Sequence, residues 1–131
     1  MVAPEISEAL KLFIARHIHS VLQLEVLLLL RASQREFTPA NLASELRISE
    51  QSAEMRLKDL ELRGLISAGP APATYRYGPH APELEALVEQ LSRCYEDARY
   101  TIINLIFSQP GDSARSLAEA FRFRKNKEGE D

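Results

Sequence analysis

Hydrophobic positions recur at helical spacing through most of this chain. In "PEISEALKLFIARHIHS", starting at Pro4, the residues Ile6, Leu10, Phe13, Ile14 and Ile18 share one face at intervals of three and four. The next segment, "SVLQLEVLLLLRAS", places Val21, Leu24 and Leu28 on one side and fills the others with Leu22, Val26, Leu27, Leu29 and Leu30. A helix that is apolar nearly all round is a central one, enclosed by its neighbours, and Ser20 is placed to cap it. "FTPANLASELRIS" predicts a short third helix, with Thr38 as N-cap, Pro39 at the first helical position, and Leu42, Ala43 and Leu46 facing inward. Ser49 caps a fourth helix whose inward stripe is Ala53, Leu57 and Leu60, continued by Leu65 and Ile66. Gly64 stands where a helix ends in a left-handed residue.

After Gly64 the period changes. "LISAG" and "TYRYG" are short β-prone runs separated by "PAPA", which predicts a small hairpin. Helical spacing returns in "APELEALVEQLSRCYEDARYTIINLIFSQP". Here Leu84, Val88, Leu91, Tyr95, Ala98, Ile102 and Leu105 alternate at four and three, an a/d stripe of about three heptads. An uninterrupted helix over this stretch is about 39 Å long, more than a small three-helix core covers. The favoured reading is a dimerisation helix pairing with its symmetry mate; the alternative is a helix folded back on the chain's own N-terminal helices. The expected organisation is residues 1–80 as the first domain, 81–109 as the long helix, and 110–131 as a short amphipathic helix with a polar end.

The 131 residues suit one mainly α-helical domain with an appended element. With 45% apolar and 27% charged residues the composition is that of a soluble globular protein. Cys94 is the single cysteine, which excludes an intrachain disulfide or thiolate cluster and fits a reducing compartment. Its neighbours Glu96 and Asp97 favour a buried structural thiol over a redox sensor. The first residues show neither the charge nor the apolar stretch of an export signal, and the longest apolar run, Val26 to Leu30, is far below the roughly 20 residues that span a bilayer. A cytoplasmic protein with no membrane insertion is expected.

Candidate enzyme chemistry is sparse. His17 and His19 fall on different sides of a helix with no carboxylate or cysteine pattern to complete a metal site. No Gly-rich phosphate loop, nucleophile elbow or zinc motif occurs. No catalytic residue, metal or cofactor is expected.

The order helix, short helix, turn, helix, hairpin is the winged-helix arrangement. Its most specific stretch is "TPANLASELRIS" followed by "EQSAEMRLKDLELRGLI", in which Ala53, Leu57, Leu60, Gly64, Leu65 and Ile66 resemble the signature of MarR-like winged helix-turn-helix transcriptional regulators. The resemblance covers about residues 20–78. It implies a homodimer whose recognition helices, at about 49–63, enter successive major grooves of double-stranded DNA, with wings at about 65–78 reaching phosphates or the minor groove. Carried over by position, the groove-facing residues are Glu50, Gln51, Ser52, Glu54, Met55, Arg56 and Asp59. Gln51 and Arg56 suit base edges, and Ser52 and Lys58 suit the phosphate backbone. Arg76 is the one cation of the wing, between Tyr75 and Tyr77. The start of the chain and its tail also resemble small uncharacterised bacterial winged-helix proteins, which implies a bacterial source.

Charge complicates the picture. The net charge is −3. The acidic excess lies in residues 78–114, with two bases and six acids, while residues 38–77 balance at five and five. Relatives of this type often carry several cations early on the recognition helix; here Glu50 and Glu54 come first and the first base is Arg56. These acids either stabilise the positive end of the helix dipole, at about 0.3–1 kcal/mol each, or accept from cytosine, or mark a face that never meets DNA. In the last case the domain is a winged-helix module for protein contacts. The tail groups Arg115, Arg122, Arg124, Lys125 and Lys127 around Phe121 and Phe123. It is open to packing on the dimer, clamping the DNA backbone, docking on a protein partner, or touching an anionic membrane face.

Overall fold

A computed structural model describes residues 6–108. The elements are α1 (Glu8–His17), α2 (Val21–Ser33), α3 (Pro39–Leu46), α4 (Glu50–Leu62), β1 (Ile66–Ala68), β2 (Tyr75–Tyr77), α5 (Pro82–Asp97) and α6 (Arg99–Phe107). The amphipathic segment expected within 110–131 lies outside the described residues, as do the first five.

Local chemistry starts each of the first four helices. The hydroxyls of Ser7, Ser20, Thr38 and Ser49 accept from the backbone N–H three residues on, so each closes one orphan donor, worth about 1 kcal/mol. At Thr38 the Asn41 side chain returns the bond, completing a capping box behind Pro39. α4 ends as expected at Gly64, whose φ of 79° is left-handed. Gly64 donates to the Glu61 carbonyl and Leu65 to the Leu60 carbonyl, the paired bonds that close a helix end and turn the chain into β1.

The core gathers around α2. Leu24, Val26, Leu27 and Leu30 are fully buried, and Val21, Leu22, Leu28 and Leu29 are packed against them. α1 turns away from α2 by 108° and contributes Leu10, Phe13, Ile14 and Ile18. α4 contributes Ala53, Leu57 and Leu60. The hairpin pairs Ile66 with Tyr77, Ser67 with Arg76 and Ala68 with Tyr75, antiparallel. A bridge the sequence pattern does not reveal joins Phe37, just before α3, to Tyr75 through two 2.8 Å backbone bonds. It anchors the base of the wing to the helix-turn-helix.

The long C-terminal helix is not continuous. At Ala98 the backbone leaves the helical region (φ −141°, ψ 56°), separating α5 from α6. Tyr95 donates a 2.9 Å hydrogen bond to Glu25 on α2, and the Arg99 guanidinium lies 4.8 Å from the Tyr95 ring centre. The turn at Ala98 directs Ile102 and Ile106 into the core, where both are buried. Burying these two isoleucines contributes about 1.5–3 kcal/mol each. Four of the residues expected to form a dimerisation stripe turn inward. Val88, Leu91, Tyr95 and Ile102 are buried in the chain's own core, while Leu84, Ala98 and Leu105 are half-buried or exposed at its margin. α5 and α6 both pack on α1, the folded-back arrangement.

Candidate nucleic-acid interface

α3 and α4 pack closely, joined by the turn Arg47–Ile48–Ser49. Arg47 is left-handed (φ 57°) and exposed, and the Ile48 N–H closes back on the Ala43 carbonyl. This fixes the direction in which α4 leaves the turn. With Ala53, Leu57 and Leu60 buried, the opposite face of α4 presents Gln51, Glu54, Met55, Lys58 and Leu62, all exposed. Met55 is 57% and Leu62 87% exposed, high for apolar side chains.

The residues expected to contact DNA do not all share this face. Gln51, Met55 and Lys58 lie on it, and Arg76 is exposed on β2. Lys58 lies within interaction range of Tyr75 on β2, so the helix face and the hairpin adjoin. Ser52 is half-buried and its N–H is engaged by the Ser49 cap. Arg56 sits on the flank of the helix beside Leu57, half-buried, with its Nε enclosed and unpartnered. Arg47 is a cation beside the start of α4 that periodicity does not single out, because its position depends on the left-handed turn.

The acids of α4 resolve into different roles. Asp59 is turned toward the body of the protein: it accepts from the buried Gln23 amide at 2.5 Å and from Arg63 Nε at 3.0 Å. Arg63 also donates to the Arg16 carbonyl (2.8 Å) and lies 3.4 Å from His19 Nδ1, tying the end of α4 to the end of α1. Asp59 is therefore not the outward acid its position in the pattern implies. Glu54 pairs with Lys58 at 3.1 Å, and this bond raises the lysine's pKa and keeps it charged. Glu50 occupies the first turn, where the helix dipole favours an anion.

Two further clusters brace the site. Tyr77 donates to Glu85 on α5, and Arg31 of α2 reaches Glu85 at 3.5 Å and faces the Tyr77 ring. Burial first and the Glu85 contact second push the Tyr77 phenol far above its ordinary range, so it stays a donor. Arg35 pairs with Glu45 and stacks on Phe37 at 4.1 Å. Both clusters hold the wing base against the helices. Cys94 is buried and its pKa raised, by burial above all, as expected of a structural thiol. Among the described residues no three His, Cys, Asp or Glu side chains converge as a metal site. Nor is any single helix there long and apolar enough to cross a membrane.

No protein-family model matches the sequence, and no curated protein matches it. Solved structures do. MarR from E. coli, both as the wild-type apo form and as a cysteine-to-serine mutant, aligns at TM-score 0.50 and 16% identity over 88% of this chain and 84% of that one. A cysteine-to-serine mutant of ZitR from Lactococcus lactis aligns at TM-score 0.50 and 17% identity over 98% of this chain and 82% of that one. The fold is the MarR-type winged helix. Such distant identity establishes architecture and leaves function to the residues of this chain. In winged-helix terms α3 and α4 are the helix-turn-helix, α4 occupies the position of its second helix, and β1–β2 is the wing.

Proposed function

We propose that the protein is a homodimeric, DNA-binding transcriptional regulator, acting through α4 and the wing. The observation that carries this reading is the convergence of Gln51, Met55 and Lys58 on one exposed face of α4 with the wing beside it. Gln51 has a bidentate amide suited to adenine, and Met55 an apolar contact for a thymine methyl. Lys58, Arg76 and Arg47 are placed for phosphates on either side. Asp59 is consumed by the fold and Glu54 is paired, so the face that meets DNA is less acidic than the sequence of α4. Affinity in this arrangement is modest because few cations contribute, and it falls as salt rises in proportion to their number.

The dimer is proposed on a different surface from the a/d stripe. α1 and α6 form a groove of about 260 Å³ lined by Leu12, Ile14, Ala15 and Leu105, with Glu8, Lys11 and Ser108 at its rim. Leu12 (64%) and Phe107 (67%) are exposed beside it. An apolar patch there, formed by α1 and α6 and not by the outward face of α4, lets two copies associate while both recognition helices stay free. Titration of labelled duplex DNA from the region upstream of the protein's own gene tests the reading.

A further inference from the structure

The outward face of α4 is more apolar than a DNA-reading surface requires, and glutamates flank it. Gln51, Met55, Lys58 and Leu62 fall at spacings of four, three and four, a single stripe along the helix. Two of these four are exposed hydrophobics, and Leu62, at 87%, is nearly bare. Around the stripe stand Glu50, Glu54 and Glu61. A surface of this kind is complementary to a segment that carries aromatic side chains among cations.

The chain has such a segment. "RSLAEAFRFRKNK", residues 115–127, sets Leu117, Phe121 and Phe123 among Arg115, Arg122, Arg124, Lys125 and Lys127, with Glu119 its single acid. The path to α4 is short. Ser108, the last described residue, lines the same groove as Ala15. The adjacent Arg16 receives the Arg63 guanidinium at its carbonyl, at the C-terminal end of α4. An extended chain covers about 3.3–3.6 Å per residue, so residues 109–120 alone reach about 40 Å.

We propose that residues 115–127 dock on the outward face of the same chain's α4. Phe121 and Phe123 cover Met55 and Leu62, and Arg122, Arg124 and Lys125 face Glu50 and Glu61, with Glu54 already paired to Lys58. Tethering raises the effective concentration of the segment to about the millimolar range, so a contact too weak to hold a free peptide suffices. Charge pairs on an exposed helix make the docking sensitive to salt. The docking itself needs no DNA. Its consequence, competition between tail and DNA for α4, rests on the DNA reading above.

The sequence supplies its own probe, since Met55 is the only methionine besides Met1. In full-length protein labelled with methyl-¹³C methionine and free of DNA, the Met55 methyl resonance reports the docking. The signal is expected to shift when Phe121 and Phe123 are both replaced by alanine, and to shift similarly in an Arg122→Glu/Arg124→Glu variant. In the wild type it is expected to move the same way as salt is raised, a measurement that needs no variant to fold. A Met55 signal that stays put in both variants and across the salt titration overturns the proposal. With duplex DNA added, the charge-reversed variant is expected to bind more tightly than the wild type. Weaker binding by that variant together with an unmoved Met55 identifies the tail as a DNA clamp, and equally overturns the proposal. If Met55 responds as expected and no variant binds DNA, the docking holds and the DNA reading fails.

Discussion

Gln23, buried in the central helix, donates from its amide to the Asp59 carboxylate of α4 at 2.5 Å. The Gln23 carbonyl accepts from the His19 N–H at 2.9 Å, so one amide joins the α1–α2 turn to α4. This bond reinforces the rotation of α4 that the buried Ala53, Leu57 and Leu60 set, holding Asp59 against the α1–α2 turn.

Gln23→Ala is therefore expected to destabilise the protein by about 1 kcal/mol, the loss of a hydrogen bond to a part-exposed carboxylate that keeps Arg63. Asp59→Ala is expected to be similarly costly. The double variant should lose less than the sum of the two, with a coupling of about 0.5–3 kcal/mol. Urea unfolding of the four proteins checks this, and strict additivity would show that the bond does not hold α4.

Acid should weaken the same junction through His17. Its pKa lies below the ordinary 6.5, first because burial disfavours the cation, then because Arg63, Arg16 and His19 repel it, with Asp59 opposing in part. A depressed histidine pKa means the unfolded chain binds the proton more readily. Stability is therefore complete above about pH 6.5 and falls as pH drops toward the lower folded value. Thermal melts between pH 7.5 and about 5 should show a decline that His17→Leu flattens relative to the wild type.

The dimer surface yields a test of its own. Leu12→Glu places a charge at the α1–α6 groove without touching the buried core, since Leu12 is 64% exposed. Light scattering should report a dimer for the wild type and a monomer for the variant, with the helical content unchanged. Val88→Ala, in contrast, should lower stability by about 1–3 kcal/mol and leave the oligomer intact, because Val88 is a core residue.

The end of α5 makes visible what a sequence pattern conceals. The caps at Ser20, Thr38 and Ser49, the stop at Gly64 and the hairpin are readable because each is decided within a few residues. The break at Ala98 is not, because Tyr95, Ala98 and Ile102 keep their a/d spacing straight through it. What bends the helix is a partner from α2, Glu25, and space in the core for Ile102 and Ile106. The candidate site divides the same way. The outward placement of Gln51, Met55 and Lys58 follows from the inward Ala53, Leu57 and Leu60. The inward turn of Asp59 depends on a glutamine 36 residues earlier, and Arg47 is exposed by a left-handed turn with no glycine to announce it.

Cation replacements on the proposed DNA surface should act through salt. Lys58→Ala and Arg76→Ala are each expected to weaken DNA binding across sequences. Each should also reduce the slope of log affinity against log salt by about 0.9 for every phosphate no longer neutralised. Gln51→Ala should instead reduce discrimination between duplexes, with the slope preserved. Fluorescence anisotropy at several salt concentrations separates the two behaviours.

The most direct measurement of the central claim is the same anisotropy titration with the wild-type protein, using duplex DNA from its own upstream region and an unrelated duplex as competitor. The account predicts saturable binding at low salt that weakens as salt rises, and for which the upstream fragment competes better than the unrelated one. Absence of binding at the lowest salt, by a protein shown to be folded and dimeric, would contradict it.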